Sequence, residues 1–265
     1  MTSETTIRLG IFSVVLIVMA LWEALSPRKT RTVSRKIRWT NNLLLIVFNT
    51  LMVRFLVPLT AVGVATYVQM HNWGLLNLTQ ISAVLSSGFI ILLAVFILDL
   101  AIYAQHVMFH KVPFFWRFHR MHHADLDIDV TTGIRFHPLE ILFSLMIKMG
   151  AIVVLGAPPT AVIIFEVLLN ATAQFNHANL KLPTQVDALL RKFIVTPDMH
   201  RVHHSIIGRE TNSNYGFNVP WWDYLFNTYI AQPEKGHDNM TIGLNKFRDP
   251  HELRLDKLFT QPFRN

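Results

Sequence analysis

The chain of 265 residues contains no cysteine. This excludes a disulfide framework, a thiolate nucleophile, a Cys-ligated zinc site and an all-Cys iron–sulfur cluster. Charge is scarce as well: Asp, Glu, Lys and Arg make up 15% of residues against 51% in the apolar set, too little charge for an ordinary soluble domain. A membrane protein is therefore expected. The 24 basic residues exceed the 17 acidic ones, for a net charge of +7. No Lys/Arg-rich run is interleaved with stacking aromatics, so no nucleic-acid partner is expected and the excess points to membrane topology. Histidine is what the chain has in quantity: 13 residues, ten of them from His106 to His204.

Ile7 to Leu25 reads IRLGIFSVVLIVMALWEAL, short for a span unless Arg8 and Glu23 snorkel to opposite interfaces. It is expected as a first transmembrane helix rather than a cleaved signal peptide, because Glu4 and a single Arg precede the apolar run and no small-x-small site follows Trp22. Pro27 to Trp39 carries Arg28, Lys29, Arg31, Arg35, Lys36 and Arg38, and so basic a short loop is expected on the cytoplasmic side. Asn41 to Met70 is apolar but interrupted by Arg54 and Pro58, hence one kinked span or an interfacial helix followed by a span. Arg54 there needs a partner or an aqueous neighbour. After the turn at His71 to Gly74, Ile81 to Tyr103 makes roughly 34 Å of helix. GAPP at Gly156 to Pro159 breaks Ile141 to Phe175 into a transmembrane hairpin, so every histidine from His106 to His204 is expected to face one compartment.

Lys148 and Glu166 fall at similar depth on the two arms of that hairpin and are expected to pair. Glu166, Asn170, Gln174 and His177 form a helical stripe, which either lines a buried site or makes a polar helix–helix contact. From Lys181 the chain turns polar, ending in the mixed-charge stretch Arg248 to Asn265. No internal repeat or low-complexity tract stands out. The expected fold is all-α and membrane-integral, with about four transmembrane helices and a cytoplasmic helical cap. Residues 1–98 would hold the first helices and the basic loop, 99–235 the clustered histidines and the hairpin at 141–175, and 236–265 a polar tail.

HVMFH places His106 and His110 four residues apart, and the same helical face extends back through Tyr103 to Asp99. HRMHH contributes His119, His122 and His123, and HRVHH contributes His200, His203 and His204, both with i, i+3, i+4 spacing. A lone histidine pair in a helix is more often structural than ligating. Eight costly imidazoles on one expected face point to metal instead. With His177 and His137 as further candidates, the set exceeds what one ion of four to six ligands uses, so two metals are expected. Imidazole suits iron, copper and zinc alike and does not name the metal. Structural zinc needs only four ligands, and a hydrolytic zincin carries HExxH, which His251-Glu252 fails to continue. A redox di-iron centre fits the surplus of ligands and activates oxygen for attack on a C–H bond, chemistry no side chain performs unaided.

HVMFH, HRMHH and HRVHH in this order, preceded by Asp99 and Tyr103, resemble the membrane-bound fatty acid hydroxylase and sterol desaturase superfamily. RFHPLE, FNHAN, TPDMHRVHH and NYGFNVPWWDYLFNTY extend the likeness over roughly Asp99 to Tyr229, whereas the N-terminal spans resemble the family only in hydropathy. Where many members read W-D-R-L-F-G-T, this chain has Tyr224 and Asn227 in the Arg and Gly places. The resemblance implies a four-span bundle with a cytosolic cap and a histidine-rich centre of two iron ions, which zinc replaces in some purified proteins. It implies O2 as co-substrate and a lipid as substrate. It also implies that His106, His110, His119, His122, His123, His200, His203 and His204 are catalytic metal ligands, that His177 is an additional ligand, and that His137 is either a ligand or an outer neighbour. Asp99, Tyr103 and Asp198 are candidates for the outer layer: the two carboxylates to accept a remote imidazole N–H, or else to serve as a polar helix end and a helix cap. Trp221 and Trp222 either close the cap over a lipid entrance or anchor at the interface.

The leading expectation is a membrane lipid monooxygenase, with desaturation as the sister outcome of the same site. A metal-dependent lipid hydrolase using metal-bound hydroxide is the alternative, separable by its independence of oxygen and reductant. Transport predicts ionisable residues strung through the spans, whereas here the histidines concentrate at one end. With no cysteine, no G-x-G-x-x-G and no fused cytochrome domain, electrons are expected from a separate cytochrome b5-, ferredoxin- or reductase-like donor. A sterol, a fatty acyl chain, an ether lipid, an aminolipid and a carotenoid all remain open as substrates. The expected location is a bacterial inner membrane, or the ER membrane in a eukaryote, with the histidines on the cytoplasmic side.

Overall fold

A computed structural model describes residues 3–264. Helices α1 (Ser3–Leu25), α2 (Arg35–Leu56) and α3 (Ala61–Met70) lead through a short α4 (Thr79–Val84) to α5 (Ser87–Lys111) and α6 (Pro113–His123). Then come α7 (Pro138–Leu155) and α8 (Pro159–His177). The remainder is a cap of short helices: α9 (Thr184–Leu190), α10 (Pro197–His203), α11 (Gly208–Thr211), α12 (Trp221–Leu225), α13 (Gly236–Asn239) and α14 (Leu255–Thr260). Among the described residues there is no strand, only isolated bridges at Pro27 with Leu180 and Ser205 with Ile242.

Four helical stretches are long and apolar enough to cross a membrane: Thr5–Leu25, Arg35–Asn77, Ser87–Lys111 and Pro138–Leu155. The second is a single stretch only by hydropathy. Pro58 forces Val57 out of the helical region (φ −123°, ψ 91°), and Thr60 restarts the chain by accepting a hydrogen bond from Gly63 N at 3.0 Å. The next span begins at Ser87 rather than Ile81, because Ser86 caps it, and it runs on through both histidines of HVMFH. Arg54 lies exposed in the last turn of α2.

The hairpin expected over 141–175 forms, but only its first arm, α7, meets the length and hydropathy of a span. The second arm is an interior helix: α1, α3 and α5 pack around α8 and bury Ala161, Val162 and Phe165 completely. Its polar stripe is divided accordingly, with Glu166, Gln174 and His177 buried and Asn170 exposed. Lys148 does pair with Glu166, which also takes Arg8 at 2.8 Å. Arg8 therefore turns inward instead of snorkelling. Glu23 does the same, fully buried, with its carboxylate accepting from Val130 N at 3.1 Å and Asn179 N at 3.2 Å. Partners inside the protein outweigh the interface for both charges.

The shared apolar core of α3, α5, α7 and α8 is built from Ala65, Ala94, Leu98, Ile152 and Phe165. At one end of this bundle the turn after α3 meets the turn between α7 and α8. Gly74 (φ 88°) and Gly156 (φ 72°) pack so closely there that a Cβ on Gly74 would strike the Gly156 backbone. The other end carries all the histidines of the boxes and the cap. The basic loop before α2 lies at this histidine end, where Arg28 reaches Asp198 at 3.3 Å.

Beneath the cap, Arg38 is fully buried. Its guanidinium makes a bidentate pair with Asp125 (2.8 and 2.8 Å), pairs with Asp129 and donates to Asp127 O and Thr132 Oγ1 at 3.0 Å. Asp127 accepts from Thr32 N and Val33 N, each at 2.9 Å. Arg38, placed by sequence among the topology signals, thus ties the start of α2 to the 124–132 segment, while Arg31 and Arg35 pair with Glu23.

Candidate metal centre

Four helices aim nine imidazoles into one buried volume. The last two turns of α5 carry His106 and His110, α6 carries His119, His122 and His123, α8 ends on His177, and α10 carries His200 and His203 with His204 as its C-cap. Local sequence explains the helices. Pro113 and Pro197 occupy first-turn positions where no amide hydrogen is needed, and Thr196 caps α10 by accepting from Met199 N at 3.3 Å.

The nine rings fall into two groups, each with its ligand nitrogens within 4.8 Å of one another. His106, His110, His119, His123 and His203 form the first, and His122, His177, His200 and His204 the second. The two HxxHH boxes divide in opposite senses. On α6 the i, i+4 pair His119 and His123 joins the first group and His122 the second. On α10 the pair His200 and His204 joins the second and His203 the first. Each box therefore spans both groups, completed by the α5 pair on one side and His177 on the other.

Hydrogen bonds fix which nitrogen faces inward. The Nδ1–H groups donate to Tyr215 O from His106 (2.7 Å), to Ser213 O from His203 (2.7 Å), to Ala173 O from His177 (2.7 Å) and to Arg135 O from His122 (3.2 Å). His119 Nδ1 meets the Glu140 carboxylate at 2.6 Å. The bare Nε2 atoms then confront each other: His106 to His119 at 3.1 Å, His122 to His177 at 3.1 Å and His177 to His200 at 3.0 Å. Facing lone pairs repel unless something positive lies between them. A proton is disfavoured, since burial depresses His119 to about 3 and, with the neighbouring imidazoles, holds His122, His123, His200, His203 and His204 far below the ordinary histidine range. A metal fits: ligands about 2.0–2.1 Å from an ion and about 90–110° apart lie roughly 2.8–3.4 Å from each other. Both ring nitrogens of His110, His123 and His204 are buried without a protein partner, which adds donors to each group.

His137 joins neither group. It caps α7: Nδ1 accepts from Leu139 N at 3.2 Å and Nε2 donates to Phe259 O at 3.3 Å, which leaves no free lone pair. The outer-layer candidates also lie elsewhere. Asp99 accepts from Trp222 Nε1 at 2.8 Å, so it joins α5 to α12 and touches no imidazole. Tyr103 bonds Thr228 Oγ1 at 2.8 Å and stacks on Phe226. Asp198 pairs with Arg28 and Arg201, while the capping role falls to Thr196. Among the described residues, the carboxylate that orients an imidazole of the two groups is Glu140, which the motifs did not single out. Its signal was the one acid of a largely apolar helix, three residues after His137, where it needs a partner.

The tryptophans separate: Trp222 is buried against Asp99, and Trp221 is exposed with its Nε1 donating to Lys192 O at 2.7 Å. Asn227, in the place of the family glycine, has φ 56°, a left-handed conformation that Asn tolerates better than most residues. Asp223 holds the loop under the first group, accepting from Tyr215 N at 2.8 Å, Gly216 N at 2.9 Å and Thr228 Oγ1 at 2.7 Å.

Comparison with known proteins agrees with this geometry. A family model described as fatty acid hydroxylase matches residues 91–228, just over half of the chain. The ornithine lipid hydroxylase OlsE of Rhizobium tropici is 29% identical over 155 residues, 58% of this chain and 46% of that protein. The alkylglycerol monooxygenase of Xenopus tropicalis is 29% identical over 160 residues, 59% of this chain and 34% of that protein. A very-long-chain aldehyde decarbonylase of rice, Oryza sativa, is 23% identical over 157 residues, 56% of this chain and 24% of that protein. The matched region thus spans less than half the length of these curated relatives. No solved structure matches the chain.

Proposed function

Since the chain belongs to the fatty acid hydroxylase family, we propose that it is an integral-membrane lipid oxygenase. In this reading it holds two iron ions and uses O2 and external electrons to hydroxylate, or desaturate, a C–H bond of a lipid. The observation that carries it is the division of nine buried imidazoles into groups of five and four, sharing two helices. Their lone pairs leave room only for cations, and the relatives named above as lipid hydroxylase and monooxygenase supply the reaction class.

His106, His110, His119, His123 and His203 would hold one ion, and His122, His177, His200 and His204 the other. Bound there, iron would supply the activation of dioxygen that side chains lack. The chain's own part is to fix the donors. Tyr215 O, Ser213 O, Ala173 O, Arg135 O and Glu140 each restrain one Nδ1 and turn Nε2 inward, the outer layer that sets ligand orientation and basicity. Phe217 lies 5.0 Å from His106 and Phe136 stacks 4.5 Å from His122, apolar walls that keep water off the rings. The core of α3, α5, α7 and α8 leads to these histidines from the apolar side, the direction from which a lipid chain arrives.

Residues 99–235 then form the oxygenase unit, with 1–98 and 236–265 bracing it. The basic loop and the histidine centre share one end of the bundle. The positive-inside rule puts that end in the cytoplasm, at a bacterial inner membrane or at the ER. The electron donor is a separate protein.

The test is lipid analysis of cells expressing the chain or its His200→Ala variant, grown under isotopic dioxygen. A lipid that gains one labelled oxygen atom, or a double bond formed only with air, and only with the unaltered chain, supports the reading. A metal-dependent product that forms equally without oxygen replaces it with a lipid hydrolase.

A further inference from the structure

The two histidine groups differ in their access to the surface. A half-open cavity of about 220 Å³ reaches His110 of the first group, walled by Trp116, Thr211, Asn212 and Asn245. Trp116 is half-buried between this cavity and the rings, with its centroid 4.9 Å from His110, 5.4 Å from His123 and 6.2 Å from His119. It therefore touches three of the five histidines of that group and none of the other four. Lys111, Arg117, Arg209 and Lys246 each adjoin a lining residue in the chain, and all four are exposed. Arg117, Arg209 and Lys246 have no ion-pair partner among the described residues. The sole carboxylate adjoining a lining residue is Glu210, which is buried.

We propose that this cavity is where an acidic one-electron carrier protein docks, and that Trp116 passes its electrons to the five-histidine group. The inference rests on the oxygenase reading above. Insertion of one atom of O2 into a C–H bond, with the other leaving as water, consumes two electrons and two protons. Each electron leaves the carrier, oxidises it and reduces the centre, with no bond made or broken. A chain without cysteine or a dinucleotide fingerprint must receive both from outside. The Trp116 indole lines the cavity and packs against three rings of the five-histidine group, a bridge from the cavity wall to that group. Exposed cations next in the chain to the cavity's lining residues favour an acidic partner by steering and complementarity. Anionic lipid headgroups share the attraction to those cations, but they make no use of an indole packed against the histidine rings.

The test uses the full chain in nanodiscs of neutral lipid, loaded with iron, with an acidic plant-type ferredoxin as probe and dithionite as the small-molecule reference. Two variants are compared: Arg117→Glu with Arg209→Glu and Lys246→Glu, and Trp116→Phe, with metal content as the check that each folds. The charge variant is expected to lower ferredoxin affinity for the metal-free protein about tenfold or more at low salt, a gap that closes at high salt. Trp116→Phe is expected to keep that affinity and lose ferredoxin-driven reduction rate relative to dithionite. Unchanged affinity in the charge variant, or an unchanged rate ratio in Trp116→Phe, overturns the proposal. So does a charge variant that loses binding to anionic vesicles but not to ferredoxin. An unaltered protein that dithionite reduces and ferredoxin does not also overturns it. One that neither reduces overturns the oxygenase reading itself.

Discussion

Two buried polar clusters lie side by side in this protein and behave in opposite ways. Around Arg38 the account closes within the chain: its guanidinium takes Asp125, Asp129, Asp127 O and Thr132, and Asp127 is taken by two backbone amides. In the histidine centre five Nδ1 atoms are paired, but Nε2 atoms face one another at 3.0–3.1 Å and three rings have no protein partner at either nitrogen. Burial is equal, so burial alone does not mark function. A closed network is a fastener, whereas a set of like donors aimed at a common point is built for something the chain does not supply.

Substitutions can break this contrast, starting with the largest effect. Arg38→Ala leaves buried carboxylates unpaired and should destabilise the fold by about 3–5 kcal/mol. Thermal melting in detergent, with and without added metal, checks it. An unchanged melting temperature would mean that the cluster is not a fastener. Glu140→Gln should weaken metal binding roughly 10–100-fold through the loosened His119 ring, with the metal-free protein melting as before. Competition against a chelator measures it, and a loss confined to stability would move Glu140 into the structural cluster. His137→Ala removes only a cap, so about 1 kcal/mol of stability is lost while metal content stays the same. A fall in bound metal would return His137 to the ligands. Asn227→Gly relaxes a left-handed residue and should change stability by less than about 1 kcal/mol, in the stabilising direction if the relief exceeds the added chain entropy.

The contrast also shows what sequence carries. The i, i+3, i+4 boxes disclosed the rings that come together because helical geometry places those positions on one side of each helix. They did not disclose that one box feeds both groups, since assigning His122 and His203 across the boundary requires the relative positions of α6, α8 and α10. Arg38 read as a topology charge because its acidic partners lie 87 to 91 residues away. For the same reason the motif-adjacent Asp99 and Asp198 drew notice over Glu140, whose histidine is 21 residues distant. Hydropathy runs unbroken across Pro58, so the sequence left one kinked span and two helices both open, and the backbone break between α2 and α3 shows two helices.

The central claim is that this chain holds two metal ions in separate histidine groups. Metal content per chain, in detergent-purified protein from iron-supplemented cells, tests it most directly when set beside a variant with His203 and His204, one from each group, both changed to Ala. The account predicts about two irons per chain in the unaltered protein and their loss in the variant. Two zincs with no iron able to replace them would point to the hydrolase, and no stoichiometric metal in the unaltered protein would contradict the account.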